Sequence, residues 1–417
     1  MVDDVRNSLV ADLDAEADEQ VAFLSRFVAA PSPNPPGDTR DAAQHLIDAL
    51  DAEGLEHEVF APNEIMPNIV ASFEGGAGDG PHVVLNGHID VFPVEDPEVW
   101  SKDPWSGEVS DGRIWGRGVI DMKCGTASLL HVYRHLHRLR DHLKGRVTLT
   151  CVSDEETVGP WGARWLVANV PEKVLGDVLM SAEATGKHAL YFAERGVFWA
   201  TITLRTPGGH GAYGHTTPSA SRIAAAMIHD FEELETIEGC LSDNVAAILG
   251  QAEASIDLSH GEGTSAMLNK ITVNVAMVNA GVKANMIPSR CDIVLDIRLP
   301  ISMTYADVLP QLEEIVARYP AAAMKVDETI DPNWCDPDHP LVPIIQANAQ
   351  ALTGTRPDPI VCLGMTDARL WRYAGVPAFV YGSTTEGTAG LNESVEIDDY
   401  LHVVKTHALS AFDYLTT

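Results

Sequence analysis

Four times in its first half, this chain runs through a short apolar stretch and stops on a histidine or an acid. Val83-Val-Leu-Asn-Gly leads into His88 and Asp90. Gly116-Arg-Gly-Val-Ile leads into Asp121. Arg146–Val152 leads into Asp154, Glu155 and Glu156, and Val178-Leu-Met-Ser-Ala leads into Glu183. Apolar runs this short and rich in β-branched residues read as buried strands. Helical patterns over residues 41–50, 122–139 and 162–168 alternate with them. Buried strands alternating with helices predict an α/β architecture. In such sheets, ligands and catalytic groups gather beyond the carboxyl ends of the strands.

The rest of the chain frames this part. Val5, Leu9, Leu13, Val21, Leu24 and Phe27 share one helical face, which the segment Pro31-Ser-Pro-Asn-Pro-Pro-Gly37 terminates. Character shifts near Gly196. Residues 197–204 alternate as a half-exposed strand, 219–234 read as a helix, 271–278 and 291–298 as two more strands, and 306–318 as a second helix. That order predicts an α+β module with one open face. After Trp334 the first style returns, with a helix over 341–352 and apolar runs at 360–363 and 378–381. The expected organisation is therefore one α/β domain in two parts, 1–196 and 326–417, with an inserted α+β domain over 197–325.

Composition narrows the partners. A length of 417 residues with 45% hydrophobic content suffices for two cores. Against 28 Lys and Arg stand 60 Asp and Glu, a net charge of −32 that repels phosphate backbones and anionic lipid. Neither nucleic acid nor a membrane is expected as a partner. No apolar run approaches the roughly 18 residues of a membrane span. The start, MVDDVRNSLV, is acidic and unlike a secretion signal. Six scattered cysteines with no CxxC pair predict neither a disulfide framework nor a cysteine zinc site, and they fit a cytoplasmic protein.

The strand-end groups have a common chemistry. His88 and Asp90, two apart on an extended segment, point the same way; a neutral imidazole ligates transition metals, and a carboxylate beside it fixes its tautomer. Asp121, just before a helix, fits either an N-cap or a carboxylate bridging two cations. Three successive acids at 154–156 are costly to bury unless solvated or paired with cations. Glu155 and Glu156 point apart, so one can bind metal while the other handles protons. One imidazole among oxygens suits Zn²⁺, Mn²⁺ or Co²⁺.

In this ordered set the chain resembles the metal-dependent aminoacylase, glutamate carboxypeptidase and succinyl-diaminopimelate desuccinylase family. The likeness extends to Glu194-Arg-Gly196, Gly209-His210, Asn285-Met-Ile-Pro288, Asp296-Ile-Arg298 and Gly364-Met-Thr-Asp-Ala368. It implies a discontinuous metallopeptidase-like catalytic domain, with a mixed sheet flanked by helices, and an inserted lid and dimerisation domain. It also implies that His88 and Glu183 bind a first metal, Asp121 bridges two, and Glu156 binds the second. Asp90 would orient His88. Glu155 would be the general base. His210 would reach a partner subunit's site and stabilise an oxyanion, which implies a homodimer. Asn285 and Arg298 would contact the substrate, with Arg298 suited to a carboxylate.

One departure bears on the metal count. The family places a histidine for its second metal four residues before a glutamate near the C-terminus. Here the segment reads Glu386-Gly-Thr-Ala-Gly-Leu-Asn-Glu393, with no histidine between His339 and His402. One divalent ion, Zn or Mn, held by His88, Asp121 and Glu183 is one expectation; recruitment of Glu386 for a second ion is another. The expected function is metal-dependent hydrolysis of a C–N bond in a small carboxylate-bearing substrate. Two alternatives are weighed beside it. An aminohydrolase could convert a nitroanthranilate-type amine to the phenol, with Tyr213, His215 and Trp371 lining an aromatic pocket or simply packing. A non-catalytic relative could bind small molecules.

Overall fold

A computed structural model describes residues 2–417. The chain forms two compact units. The first runs to Phe192 and resumes over 335–360 and 366–417; the second comprises 193–334 and 361–365.

The first unit is built on a mixed sheet. Its strands lie in the order His57–Phe60, Asn68–Glu74, Arg146–Val152, His82–His88, Val178–Ser181, Ala378–Val380 and Ala189–Glu194. His82–His88 runs parallel to both neighbours, and Ala378–Val380 extends the parallel set. The two strands at the far edge are antiparallel. Val83, Val84 and Leu85 are wholly buried, each contributing roughly 1.5–3 kcal/mol by leaving water. Helix Cys124–Arg138 is buried on almost every face and packs under the C-terminal helix Ile397–Thr416, which also meets Leu341–Thr353.

Two glycines let helix Cys124–Arg138 approach the strand ends. A Cβ on Gly87 would lie 2.6 Å from Thr126 Oγ1, and one on Gly125 would lie 2.2 Å from the Ala182 carbonyl. The approach is secured by Thr126 Oγ1, which donates to the His88 carbonyl at 2.5 Å. At the N-terminus the single apolar face belongs to two helices, Val2–Ala15 and Ala17–Val28. A break at one residue barely disturbs the apolar spacing, so periodicity does not reveal it.

The second unit has a four-stranded antiparallel sheet in the order Thr272–Ala280, Arg290–Leu299, Gly196–Arg205 and Ala322–Ile330. Phe198, Ala200, Ile202 and Leu204 alternate inward against helices Ala220–Asp230 and Tyr305–Ala317. Trp199, Thr201 and Thr203 face the other way and hydrogen-bond Asp296, Asp327 and Asp292, so one face is polar and open. Re-entry into the first unit comes later than residue 326, because Ala322–Ile330 pairs along the length of Gly196–Arg205. Helices Asp243–Gln251 and Glu253–His260 lie outside the expected pattern; they bury only Val245, Leu249 and Ile256.

All six cysteines are free and only Cys240 is exposed. Among the described residues, no helix is long and apolar enough to cross a membrane.

Candidate metal centre

Strand register alone brings the first ligands together. Asn86 pairs with Ser181 across adjacent parallel strands, so His88 and Glu183, each two residues further, leave the sheet side by side. His88 Nε2 lies 3.1 Å from Glu183 Oε1 and 3.1 Å from Asp121 Oδ1. Ligand atoms of the three residues all lie within 4.8 Å of one another, and no other described group of His, Cys, Asp and Glu meets that geometry. His88 is also level with Val152, so the turn after that strand carries Glu155 and Glu156 to the same end.

Asp121 is not a helix N-cap. It sits in a non-helical turn at φ −115°, ψ 99°, joined to Met122 by a cis peptide, and the following helix begins at Cys124. The polypeptide turns there to present the carboxylate to His88.

Asp90 acts differently from expectation. The His88 Nδ1 partner is the Asp90 main-chain oxygen, at 2.8 Å, while the nearest carboxylate oxygen is 3.6 Å away. That carbonyl accepts from Nδ1–H, which leaves Nε2 free to ligate. The Asp90 carboxylate instead accepts from the main-chain N–H groups of Glu155 and Glu156, at 3.2 and 3.1 Å, and from Asn34 Nδ2 at 2.9 Å. It shapes the turn that carries the two glutamates.

The electrostatics follow from crowding acids in a dry place. Burial, with the Asp121 carboxylate next, pushes Glu156 up to about 11 and Glu183 up to about 7. Burial holds Glu155 well above the usual carboxylate range, with Asp367 adding to the rise and His88 and Arg369 opposing it. Burial alone would lower His88; Glu183, Asp121 and Asp90 outweigh it and hold the imidazole well above its ordinary value. Glu156 Oε1 is buried without a hydrogen-bond partner. An imidazole among carboxylates, with a buried acid oxygen left unpartnered, is the donor set of a divalent cation. The residues present fit such an ion: His88, Asp121 and Glu183 would hold it, with Glu156 beside Asp121.

Two charged residues for which the sequence suggests no role join the site. Arg369, 2% exposed, sets Nη1 3.4 Å from Glu155 Oε1 and 4.0 Å from Asp367 Oδ1. Both follow Gly364-Met-Thr, a motif noted above without a chemical role. Glu393 is the second; it hydrogen-bonds the loop that carries Asp121. Glu386, the alternative ligand, is exposed and lies outside the three-residue cluster.

A family model described as peptidase family M20/M25/M40 matches residues 84–412. The chain belongs to that family. A succinyl-diaminopimelate desuccinylase of Cereibacter sphaeroides is 28% identical over 411 residues, covering 93% of this chain and 99% of the relative. An N-formyl-4-amino-5-aminomethyl-2-methylpyrimidine deformylase of Halalkalibacterium halodurans is 25% identical, covering 96% of each chain. The crystal structure of a metallo-carboxypeptidase of the same family from Sulfolobus solfataricus superposes with a TM-score of 0.80 at 17% identity, over 96% of this chain and 100% of that one. As a member of the peptidase M20 family, the chain is a metal-dependent hydrolase of C–N bonds.

The remaining family positions lie in the second unit. His210, exposed on the short strand Gly209–His210, pairs with Met286, and the Gly211 N–H donates to the Asn285 carbonyl at 2.8 Å. His210 and Asn285 are thus neighbours. Arg298 is engaged by its own strand: Nε and Nη2 donate to the Asp296 carboxylate at 2.8 and 3.1 Å. Trp371 is core, fully buried with its indole N–H donating to the Val174 carbonyl. Tyr213 and His215 are exposed.

Proposed function

We propose that this chain hydrolyses the amide of a small N-acyl substrate bearing a carboxylate, using one tightly held divalent ion, Zn or Mn. The observation that carries the reading is the meeting of His88, Asp121 and Glu183, with the largely withdrawn Glu155 close enough to feel His88 and Glu183. The printed activities of the relatives, a desuccinylase and a deformylase, support an N-acyl group as the target.

A bound divalent cation would supply Lewis acidity and a lowered pKa for water. The protein supplies the rest. Glu155 takes a proton from the attacking water and later gives it to the leaving nitrogen, so the amide ends as a carboxylic acid and an amine. Its raised pKa makes it a stronger proton acceptor than an ordinary carboxylate. Glu156 is the acid a second ion would use; without the family's histidine at that place, its site is the weaker one. His210 and Asn285 would stabilise developing negative charge and contact substrate, with His210 supplied by the partner subunit of a homodimer. Arg298 would anchor the substrate carboxylate by sharing its guanidinium with Asp296. A cytoplasmic setting fits the buried free thiols.

The test is a panel of N-succinyl, N-formyl and N-acetyl amino acids, dipeptides and anthranilates, assayed with protein loaded with Zn²⁺ or Mn²⁺. Turnover of at least one N-acyl compound, abolished by chelation and restored by the ion, is expected. Turnover of anthranilates alone would overturn the amide reading in favour of aromatic amine hydrolysis. Metal binding with no turnover of any compound would favour a binding protein.

A further inference from the structure

The segment that lacks the family's histidine still reaches the metal centre, through its last residue. Ser394–Glu396 pairs antiparallel with Arg113–Trp115, Ser394 opposite Trp115. The ladder runs one step further, with the Gly116 N–H donating to the Glu393 carbonyl at 2.9 Å. Glu393 therefore enters directly beneath the loop from Gly116 to Asp121. It is 1% exposed. Its Oε2 accepts from Arg117 Nη1 at 2.7 Å and from the Gly118 N–H at 3.1 Å. Its Oε1 accepts from the Ile120 N–H at 2.8 Å and, more weakly, from the Asp121 N–H at 3.4 Å.

We infer that Glu393 is the positioning residue for Asp121, a buried carboxylate that gathers the loop's N–H groups and so sets where the Asp121 side chain stands. The inference rests on the reading that Asp121 holds the ion. The physical case is the direction of the contacts. Glu393 binds three main-chain N–H groups within four residues, Gly118, Ile120 and Asp121, so it fixes the turn itself and not merely one side chain. Gly118 takes φ +76°, and a Cβ there would lie 2.0 Å from Val91 Cγ1, which leaves the turn little room to be re-made another way. Arg117 balances the charge and also stacks over the Trp100 ring at 5.1 Å. An ionised carboxylate can accept at every lone pair, whereas an amide must turn a donor toward one of these N–H groups. Residues that orient a ligand from behind typically change metal affinity about 10–100-fold when replaced.

The test measures Zn²⁺ affinity by competition with a chromophoric chelator, and the visible absorption of the Co²⁺-loaded protein, for Glu393→Gln, Glu393→Asp, Arg117→Met and Asp121→Asn. Glu393→Gln is expected to lose about 10–100-fold in Zn²⁺ affinity and to shift the Co²⁺ bands. Arg117→Met, which removes the counter-charge but leaves the main-chain contacts, is expected to bind nearly as wild type. If Glu393→Gln does not fold, Glu393→Asp decides: it keeps the charge and loses the reach, so affinity should still fall. Unchanged affinity and unchanged Co²⁺ bands in the folded Glu393 variants would overturn the inference, as would an equal loss in Arg117→Met. Asp121→Asn separates the two levels. If it binds Zn²⁺ like wild type, the reading of Asp121 as a ligand fails; if it alone loses affinity, only the role of Glu393 fails.

Discussion

Arg369 holds its guanidinium 3.4 Å from the Glu155 carboxylate, and both side chains are withdrawn from water. The acids Asp367 and Glu183 add to the rise that burial imposes on Glu155, and the His88 imidazole opposes it alongside Arg369. Arg369 is a fixed cation against it, since a guanidinium stays charged at any working pH. The pair offsets part of the rise that burial imposes on the Glu155 carboxyl.

Replacing Glu155 by Gln puts an amide NH2 in place of one carboxylate oxygen, which removes the proton carrier at nearly unchanged volume. Metal content and melting temperature should stay near wild type while kcat falls about a hundredfold or more. Turnover and metal analysis on the same preparation check this. Near-normal kcat would remove Glu155 from the role of base.

Acid should weaken the stabilisation that metal confers. Glu183 rises from 4.5 to about 7 in the fold. A group raised in this way favours the metal-free fold below its unfolded pKa, and that contribution is lost as pH climbs from about 4.5 through about 7. Metal binding must displace the same protons, so its affinity rises over that window. Both effects widen the melting-temperature gap between loaded and chelated protein from pH 5 to pH 8. A gap that is constant or narrower at pH 8 would contradict the protonated cluster.

By the family resemblance, Ala389 or Gly390 falls where a second-metal histidine would stand. Ala389 has φ +56°, a backbone that histidine tolerates better than most residues. Wild type should bind one Zn²⁺ tightly per chain. Ala389→His should raise the count toward two in metal analysis after dialysis. Two tight ions in wild type would sink the single-ion reading.

Gly125→Ala places a methyl 2.2 Å from the Ala182 carbonyl, one residue before Glu183. Overpacking of this kind costs roughly 1–3 kcal/mol. Chemical denaturation should show that loss, with weaker metal binding as the ligand shifts. Wild-type stability would mean that helix Cys124–Arg138 can move aside freely.

The strand ends were readable because burial and charge switch within one or two residues there. Val152 is buried and apolar, and Glu155 comes three residues on, so the sequence itself marks where the sheet stops. Register then did the assembling: His88 and Glu183 are neighbours by strand pairing, which apolar runs imply but do not number. Arg369 and Glu393 lacked any such mark. The groups they act on, Glu155 and the Gly118–Asp121 turn, lie far off in the chain. The role of Asp90 was half legible. Its place beside His88 follows from spacing, but the choice between its carboxylate and its carbonyl depends on a turn at 154–156 that no local pattern specifies. Arg298 looked available because its strand alternates; its neighbour Asp296, on the same face, engages it.

The three candidate ligands come from a strand end, a loop and a second strand end, spread from His88 to Glu183. No single hairpin or helix contains two of them, so an unfolded or half-built chain does not bring these three groups together. The polypeptide must close its long-range parallel pairings first, the slow part of folding for such topologies. An ion bound there would act as a late lock that slows unfolding rather than as a template that speeds folding.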